Sequence, residues 1–384
     1  MQEKIIIIGG GPAGLYLAYK LAKNAVDVTV LEKHKWPRYK PCGGALSEKS
    51  IKLLSEEEIH LNNNLIKSKI NKFRFRFDFK ESFDISYQGK AVKLINRDKF
   101  DNYLKKSAVE MGAEFKDQAE VKSIYKNGNK VILKTPKSSY SADIIVGADG
   151  ANSITAKYFN AYSDNFLKYR GTGLEAEIFN ENLKLVKNNE IIVDFGQIQN
   201  GYSWAFPKKN QISIGLGNLR YNKINFKEQL YNYLDQLEIN YNKNNIFLKG
   251  HLIPAYSKKL KINRSGENYL LVGDAAYLAD AFIGEGIYFA LLSAEIAAET
   301  IINYFNNKEY NLQNYELQLQ KQVLPELESA EKLALIFYNN SLLIKKVLRK
   351  RPDLIKEFID VVQGESSYRE LLNLFNFFKK ILKL

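Results

Sequence analysis

Residues 4–8, KIIII, form an unbroken apolar run stopped by glycines, the pattern of a strand buried on both faces. Apolar positions then recur at helical spacing through PAGLYLAYKLAKN (12–24), and VDVTVLE (26–32) reads as a second strand, so residues 4–33 predict a βαβ unit. A different rhythm governs NKFRFRFDFK (71–80). Phe73, Phe75, Phe77 and Phe79 alternate there with Lys72, Arg74, Arg76 and Asp78, which predicts a half-buried strand in a second sheet. Further strand-like runs occupy 172–179, 189–196, 201–207 and 211–217. LINRDKFDNYLKK (94–106) predicts a helix capped by Asp98, with Phe100 and Leu104 on its apolar stripe. IYFALLSAEIAAETII (287–302) is apolar but interrupted by Glu295 and Glu299, short of the roughly 20 apolar residues of a membrane span.

From 306 to the end the pattern is helical. In the tail, Leu371, Leu372, Leu374, Phe375, Phe378, Ile381 and Leu382 share a broad apolar stripe, with Lys379, Lys380 and Lys383 elsewhere. That pattern suits a helix packed on the body of the protein and equally a helix lying at a lipid surface. No internal repeat or low-complexity linker interrupts the chain.

Composition narrows the classes. A chain of 384 residues, 45% hydrophobic and 12% aromatic, is expected to fold around a sizeable core. The single cysteine, Cys42, excludes an internal disulfide framework, and three scattered histidines (His34, His60, His251) give no metal-ligand spacing. The formal charge of +13 is spread without a dense basic block, which argues against nucleic acid. It leaves either a compositional bias toward lysine or a diffuse attraction to an anionic membrane surface. MQEKIIIIGG has no basic leader and no cleavage site, so a cytoplasmic location is expected, with peripheral contact at the inner face of the cell membrane as its extension.

The candidate chemistry begins where the first strand ends. Gly9-x-Gly11-x-x-Gly14, with Ala13 between the last two, lets backbone N–H groups and a helix N-terminus approach a pyrophosphate. Glu32, closing the second strand, is placed for a ribose 2′-OH and favours FAD or NAD over NADP. Two later strands also run into Gly or Asp-Gly turns, DIIVGADGANS (143–153) and NYLLVGDAAYLADAFIGEGIYF (268–289); each alone is equally a plain strand-ending turn. The intervals predict an α/β protein. A discontinuous Rossmann-type cofactor domain (1–65, 95–165, 250–305) would carry an inserted, mainly antiparallel substrate sheet domain (66–94, 166–249) and a helical C-terminal region (306–384).

Taken together, the three glycine-bearing turns resemble the fingerprints of the flavoprotein group typified by para-hydroxybenzoate hydroxylase. The resemblance implies FAD, with Asp149 at the cofactor, Asp274 accepting from the ribityl chain, and Gly284, Gly286 and Ile287 bringing a helix N-terminus to the flavin ring. It also implies that Arg97 contacts the flavin or its phosphates and that Val121 lies where backbone groups meet the adenine.

PCGGALS (41–47), YSWAFP followed by IGLG (202–217), and GDAA with GEGI (273–287) narrow the match: they resemble the geranylgeranyl reductase family, which saturates isoprenoid double bonds. By that resemblance Tyr202, Trp204 and Phe206 line a substrate cavity beside the flavin, and Cys42, Gly43 and Gly44 lie close to its ring system. Hydride from reduced flavin must be matched by a proton, and Cys42 and Tyr202 are the candidate acids. Their bland readings stay open: sheet-core aromatics, and a cysteine acting as a small hydrophobe. The implied partners are a prenylated lipid or prenyl diphosphate and, in the absence of a second nucleotide-binding unit, an external donor, nicotinamide or ferredoxin-like. Tyr277 and Ala281 depart from the family's Gly and Pro, and with Phe282 and Ile283 predict a bulkier surface near the ring.

Two rivals share the cofactor domain. A monooxygenase or halogenase is weakened by Tyr202 and Phe206, which stand where halogenases carry Trp and Ile. A non-catalytic prenyl-binding escort is weakened by retention of Glu32, Arg97 and Asp274.

Overall fold

The computed structural model describes residues 4–179, 188–243, 246–307 and 310–381, and side chains as far as 376. Lys4–Ile8 lies at the centre of a five-stranded parallel sheet ordered Tyr269–Leu271, Ile144–Gly147, Lys4–Ile8, Asp27–Leu31, Glu114–Lys116. Ile5, Ile6 and Ile7 are fully buried, as expected of a strand with both faces covered. The helix Pro12–Lys23 packs against Arg97–Glu110 and against Ile287–Asn306. Glu295, which interrupts the apolar run of Ile287–Asn306, is paired there: Lys20 and the Tyr16 hydroxyl both donate to its carboxylate at 2.7 Å.

A seven-stranded sheet runs Leu248–Pro254, Arg170–Phe179, Gln211–Asn218, Gly201–Lys208, Glu190–Phe195, Lys72–Phe77, Glu81–Ser86. Its neighbours are antiparallel except Lys72–Phe77 against Glu190–Phe195. Register draws rows across one face of this sheet. Phe77, Phe195, Tyr202, Gly217, Gly173 and His251 form one row; Phe75, Val193, Trp204, Gly215 and Glu175 form the next. Each row is aromatic at one end and small or polar at the other. The aromatic end is covered by the C-terminal helices, where Phe75 meets Phe358 at 5.9 Å and Phe195 meets Phe337 at 4.8 Å between ring centres. On the opposite face Ile192, Ala205, Ile212 and Leu216 pack on Leu230, Tyr233 and Leu234 of Phe226–Gln236.

Three local expectations are corrected. Phe79 leaves the phenylalanine stripe: Asp78 and Phe79 take left-handed backbone angles after the strand ends at Phe77, and the Phe79 ring stacks on Tyr233 at 5.9 Å. Asn96 rather than Asp98 holds the N-cap of Arg97–Glu110; Asp98 lies in the first turn. In the tail helix, Tyr368–Ile381, Leu371 and Phe375 are buried and Leu372 and Leu374 pack against the body, so the described part of the stripe faces protein; Phe378, Lys379, Lys380, Ile381, Leu382 and Lys383 have side chains outside the described residues. No helix among the described residues is long and apolar enough to cross a membrane.

Candidate cofactor and active site

The glycine turn after Lys4–Ile8 has a distinct reason for each glycine. A Cβ on Gly9, at φ +109°, would lie 2.3 Å from the Ala148 carbonyl oxygen, and one on Gly14 would lie 2.1 Å from the Gly9 carbonyl oxygen. Those two serve the close approach of helix and strands. Gly11 differs: nothing lies within 4 Å of its would-be Cβ, and no side chain caps the helix that starts there. An uncapped helix start beside open space fits a phosphate. Ala13 is buried, and a Cβ on Gly273 would meet its methyl at 3.3 Å, so the first and third glycine segments touch.

Glu32 is buried at the edge of this opening. Its carboxylate accepts the Gly10 and His34 N–H groups, both at 2.9 Å, which orients it and leaves acceptor capacity for hydroxyls. Arg38 donates to the Gly10 carbonyl and to Asp101, each at 3.0 Å. Arg97 forks onto the same Asp101 at 2.9 and 3.0 Å, and Cys42 is near enough to act on its charge. Val121 is buried in the main core beside Ala119, whose N–H donates to the Glu32 carbonyl. Asp149 uses one oxygen to accept the Ile154 and Thr155 N–H groups at 2.8 and 3.2 Å; the other is buried with no hydrogen-bond partner, and burial raises the carboxyl's pKa.

Asp274 faces the start of Ile287–Asn306, with Oδ1 3.7 Å from the would-be Cβ of the N-cap Gly286, and no side chain caps that helix either. Its Oδ2 lies 3.6 Å from His251 Nε2, and Lys40 Nζ lies 2.6 and 2.9 Å from the His251 ring nitrogens. Burial alone would raise the Asp274 pKa, but the facing His251 ring and the charge of Lys40 outweigh it and the net shift is downward. Burial lowers Lys40 to about 8 despite Asp274, and lowers His251 as well. Neither Lys40 nor His251 was among the residues expected from the sequence. The only signals were a lysine next to the Pro-Cys-Gly-Gly stretch and a histidine whose strand register is visible only in the folded sheet.

On the substrate side, Tyr202, Trp204 and Phe206 project half-buried from one face of Gly201–Lys208. Trp204 donates to Ser213 Oγ at 3.2 Å, and its indole fills the space left by two glycines: a Cβ on Gly215 would sit 2.2 Å from the ring, and one on Gly173 would sit 3.9 Å away. The flat group against the Cys42-Gly43-Gly44 loop is Phe206, whose ring would be 2.6 Å from a Gly43 Cβ. Gly44, at φ +78°, is pressed against the Ile95 carbonyl at 2.2 Å by the same measure. Cys42 is half-buried, and its sulfur accepts the Gly44 N–H at 3.4 Å.

Tyr202, a candidate acid from the sequence, has its hydroxyl engaged within the fold. Its hydroxyl donates to the Ile283 carbonyl, and burial holds its pKa above the usual phenol value, so it acts as a support for the loop before Gly286. Tyr338 donates to the Phe282 carbonyl at 2.6 Å and Tyr368 to the Asp280 carboxylate, so three tyrosines hold the segment that delivers Gly284, Gly286 and Ile287. Tyr277, Phe282 and Ala281, the residues expected to add bulk, pack on other side chains. Tyr277, at φ +54°, packs on Tyr162 at 5.2 Å; Phe282 packs on Phe337 and Phe358 at 5.1 and 5.3 Å; Ala281 joins Leu219 and Ala255. Two surface hollows lie at the C-terminal helices, one lined by Phe77, Asp78, Lys345 and Arg349 and one by Glu357, Asp360 and Glu370.

Comparison with known proteins bears on this geometry. The family model described as FAD binding domain matches residues 2–195. An uncharacterized protein of Methanosarcina barkeri is 32% identical, over 88% of this chain and 84% of its own length. The chloroplastic geranylgeranyl diphosphate reductase of Oryza sativa is 27% identical over 88% of this chain and 76% of its own, and the digeranylgeranylglycerophospholipid reductase of Thermoplasma acidophilum is 24% identical over 93% and 99%. Two solved structures show the same fold: a geranylgeranyl bacteriochlorophyll reductase-like protein of Thermoplasma acidophilum (TM-score 0.71, 20% identity, covering 94% of this chain and 91% of that one) and a flavin-dependent brominase (TM-score 0.74, 18% identity, covering 99% and 100%). With half its length in that family model, and with geranylgeranyl reductases among its relatives, the chain belongs to the FAD binding domain family and is an FAD-dependent oxidoreductase.

Proposed function

We propose that the protein saturates carbon–carbon double bonds of prenyl chains, geranylgeranyl chains of membrane lipids above all. The observation that carries this reading is the packing of the Cys42-Gly43-Gly44 loop onto Phe206 and Trp204, beside the cluster of Arg97, Lys40, His251 and Asp274. A thiol, an aromatic apolar wall and a cofactor-facing carboxylate thus share one site. FAD, when bound and reduced, supplies a hydride.

The chain's own residues supply the rest. Gly9, Gly11, Ala13 and Gly14 with Glu32 would hold the pyrophosphate and ribose. Asp274 would hold the ribityl chain, and the helix start at Gly284, Gly286 and Ile287 would face the ring. Arg97, Asp149 and Val121 would complete the cofactor contacts. Trp204 and Phe206 would lay the prenyl chain along the sheet and exclude water, and Cys42 Sγ would give the proton that complements the hydride. The substrate would be a prenylated lipid or prenyl diphosphate, met at an anionic membrane surface by a chain of net charge +13, and electrons would come from an external nicotinamide or ferredoxin-like donor.

The deciding experiment incubates the dithionite-reduced holoprotein anaerobically with a geranylgeranyl lipid and reads products by mass spectrometry. A gain of two hydrogens per reduced bond is the expected result. Oxygen-dependent turnover without prenyl reduction would point to monooxygenase chemistry and overturn the proposal. Cys42→Ala is expected to retain FAD and to slow product formation about 100- to 10,000-fold, the range for a lost proton donor; an unchanged rate would remove Cys42 from that role.

A further inference from the structure

Glu175 is a carboxyl group to which the cofactor contacts give no task. It lies within Arg170–Phe179, 2% exposed, on the face that carries Trp204 and directly opposite Gly215. Oε1 accepts the Tyr39 hydroxyl at 3.2 Å, and the backbone N–H of Cys42 faces the same carboxyl group. Oε2 is buried with no hydrogen-bond partner. An ionised carboxylate is costly with one oxygen left that way, and the neutral acid form avoids burying that charge.

The charges around it leave that form accessible. Lys208 is near but pairs with Glu177 at 3.1 Å, and Glu177 adds like charge from two residues along the same face. Lys249, opposite Glu175 on the neighbouring strand, holds its amine over the Phe247 ring at 5.0 Å. Lys40, on the loop between Tyr39 and Cys42, is turned to His251. Burial is the largest influence on Glu175 and, with Glu177, raises it to about 6 against the pull of Lys208. Tyr39, whose hydroxyl donates to this buried acid, is 39% exposed as a residue.

We propose that Glu175 is the proton reservoir of the site, a positioning residue that restores the Cys42 thiol after each turnover, with Tyr39 as its link to water. This rests on the reading of Cys42 as proton donor in prenyl reduction. In the donor step the alkene π bond and the Cys42 S–H bond break, one carbon takes the thiol proton, and the other takes the hydride from reduced flavin, which is thereby oxidised. In the restoring step the Glu175 O–H bond breaks and an S–H bond forms. The carboxylate regains its proton from solvent through the Tyr39 hydroxyl, so no further oxidant or reductant enters.

Infrared difference spectra of the holoprotein, titrated from about pH 4.5 to 8, test the protonation itself, and steady-state rates over many turnovers with a geranylgeranyl lipid and excess reductant over the same range test its use. The expected spectrum shows a protonated-carboxyl band that disappears as pH rises through about 6, present in Glu177→Gln and absent in Glu175→Gln. Because the acid is the working form, the wild-type rate should fall through the same pH. Glu175→Gln should keep FAD, react about 100-fold more slowly and lose that pH dependence, and Glu175→Asp should recover part of both. A spectrum without the band, or a Glu175→Gln rate and pH profile within about twofold of wild type, overturns the proposal. A wild-type protein that shows the band and reduces no prenyl chain overturns the functional reading instead.

Discussion

Alanine at Asp274 is expected to yield a protein that purifies without its flavin. The carboxylate stands between the uncapped helix start at Gly286 and the His251–Lys40 pair, so its removal takes away an acceptor for the ribityl hydroxyls and the counter-charge of a half-buried lysine. Hydrogen bonds to a charged group contribute about 1.5–3 kcal/mol each, so losing two weakens FAD binding by roughly 100-fold or more. The pH dependence has a definite sign. The folded pKa of Asp274 is depressed, so its contribution is complete above the ordinary carboxylate value and disappears only as pH falls through the lower, folded one. Wild-type protein should therefore keep FAD through mildly acidic buffer. Flavin absorbance and equilibrium dialysis measure both effects, and Asp274→Asn, which keeps shape and one acceptor, should fall between. An alanine variant with a full complement of FAD would remove Asp274 from the cofactor site.

Alanine at Gly14 should damage the fold as well as the cofactor site. Its methyl would sit 2.1 Å from the Gly9 carbonyl oxygen, 3.1 Å from the Ala148 Cβ and 3.2 Å from Ile7 Cγ2. The nearest of these is backbone, so no rotamer change relieves the clash, and Pro12–Lys23 must lift from the parallel sheet. That helix buries Leu15, Leu17 and Leu21 completely, and overpacking at such a contact costs about 3 kcal/mol or more, equivalent to a Tm lowered by about 4 °C or more. Gly11→Ala supplies the contrast. With nothing within 4 Å of the new methyl, it should melt like wild type without FAD and lose much of the stabilisation that FAD confers. Thermal melts of both variants with and without FAD separate the structural glycine from the one at the ligand. Equal effects of the two substitutions would contradict the division.

Much of this architecture was legible along the chain because its signals are local. An apolar run, a glycine turn and an amphipathic helix sit next to one another in residues 4–33, and the structure has Lys4–Ile8, Pro12–Lys23 and Asp27–Leu31 there. Alternation located the strands at Lys72–Phe77 and Gly201–Lys208 for the same reason. Phe79 escaped it because alternation has no means of marking where a strand stops; left-handed angles at Asp78 and Phe79 turned the ring to the other side. The motif residues were visible, but their company was not. Tyr202 reads as a free hydroxyl until the C-terminal helices bring Tyr338 and Tyr368 to the same loop and Ile283 takes its hydrogen bond.

By itself the sequence determined the kinds of elements, the glycine turn at Gly9–Gly14 and the acid after the second strand, Glu32, because each depends on neighbours within a strand or a helical turn. Only the tertiary structure decided that Lys40 meets His251, that Glu175 lies in the same row as Trp204 with Tyr39 above it, and that Phe206 is what Gly43 must accommodate. Those contacts join segments far apart in the chain. They follow from strand register and from the docking of one sheet on another, where shifting a strand by a single residue would turn every one of these side chains to the opposite face.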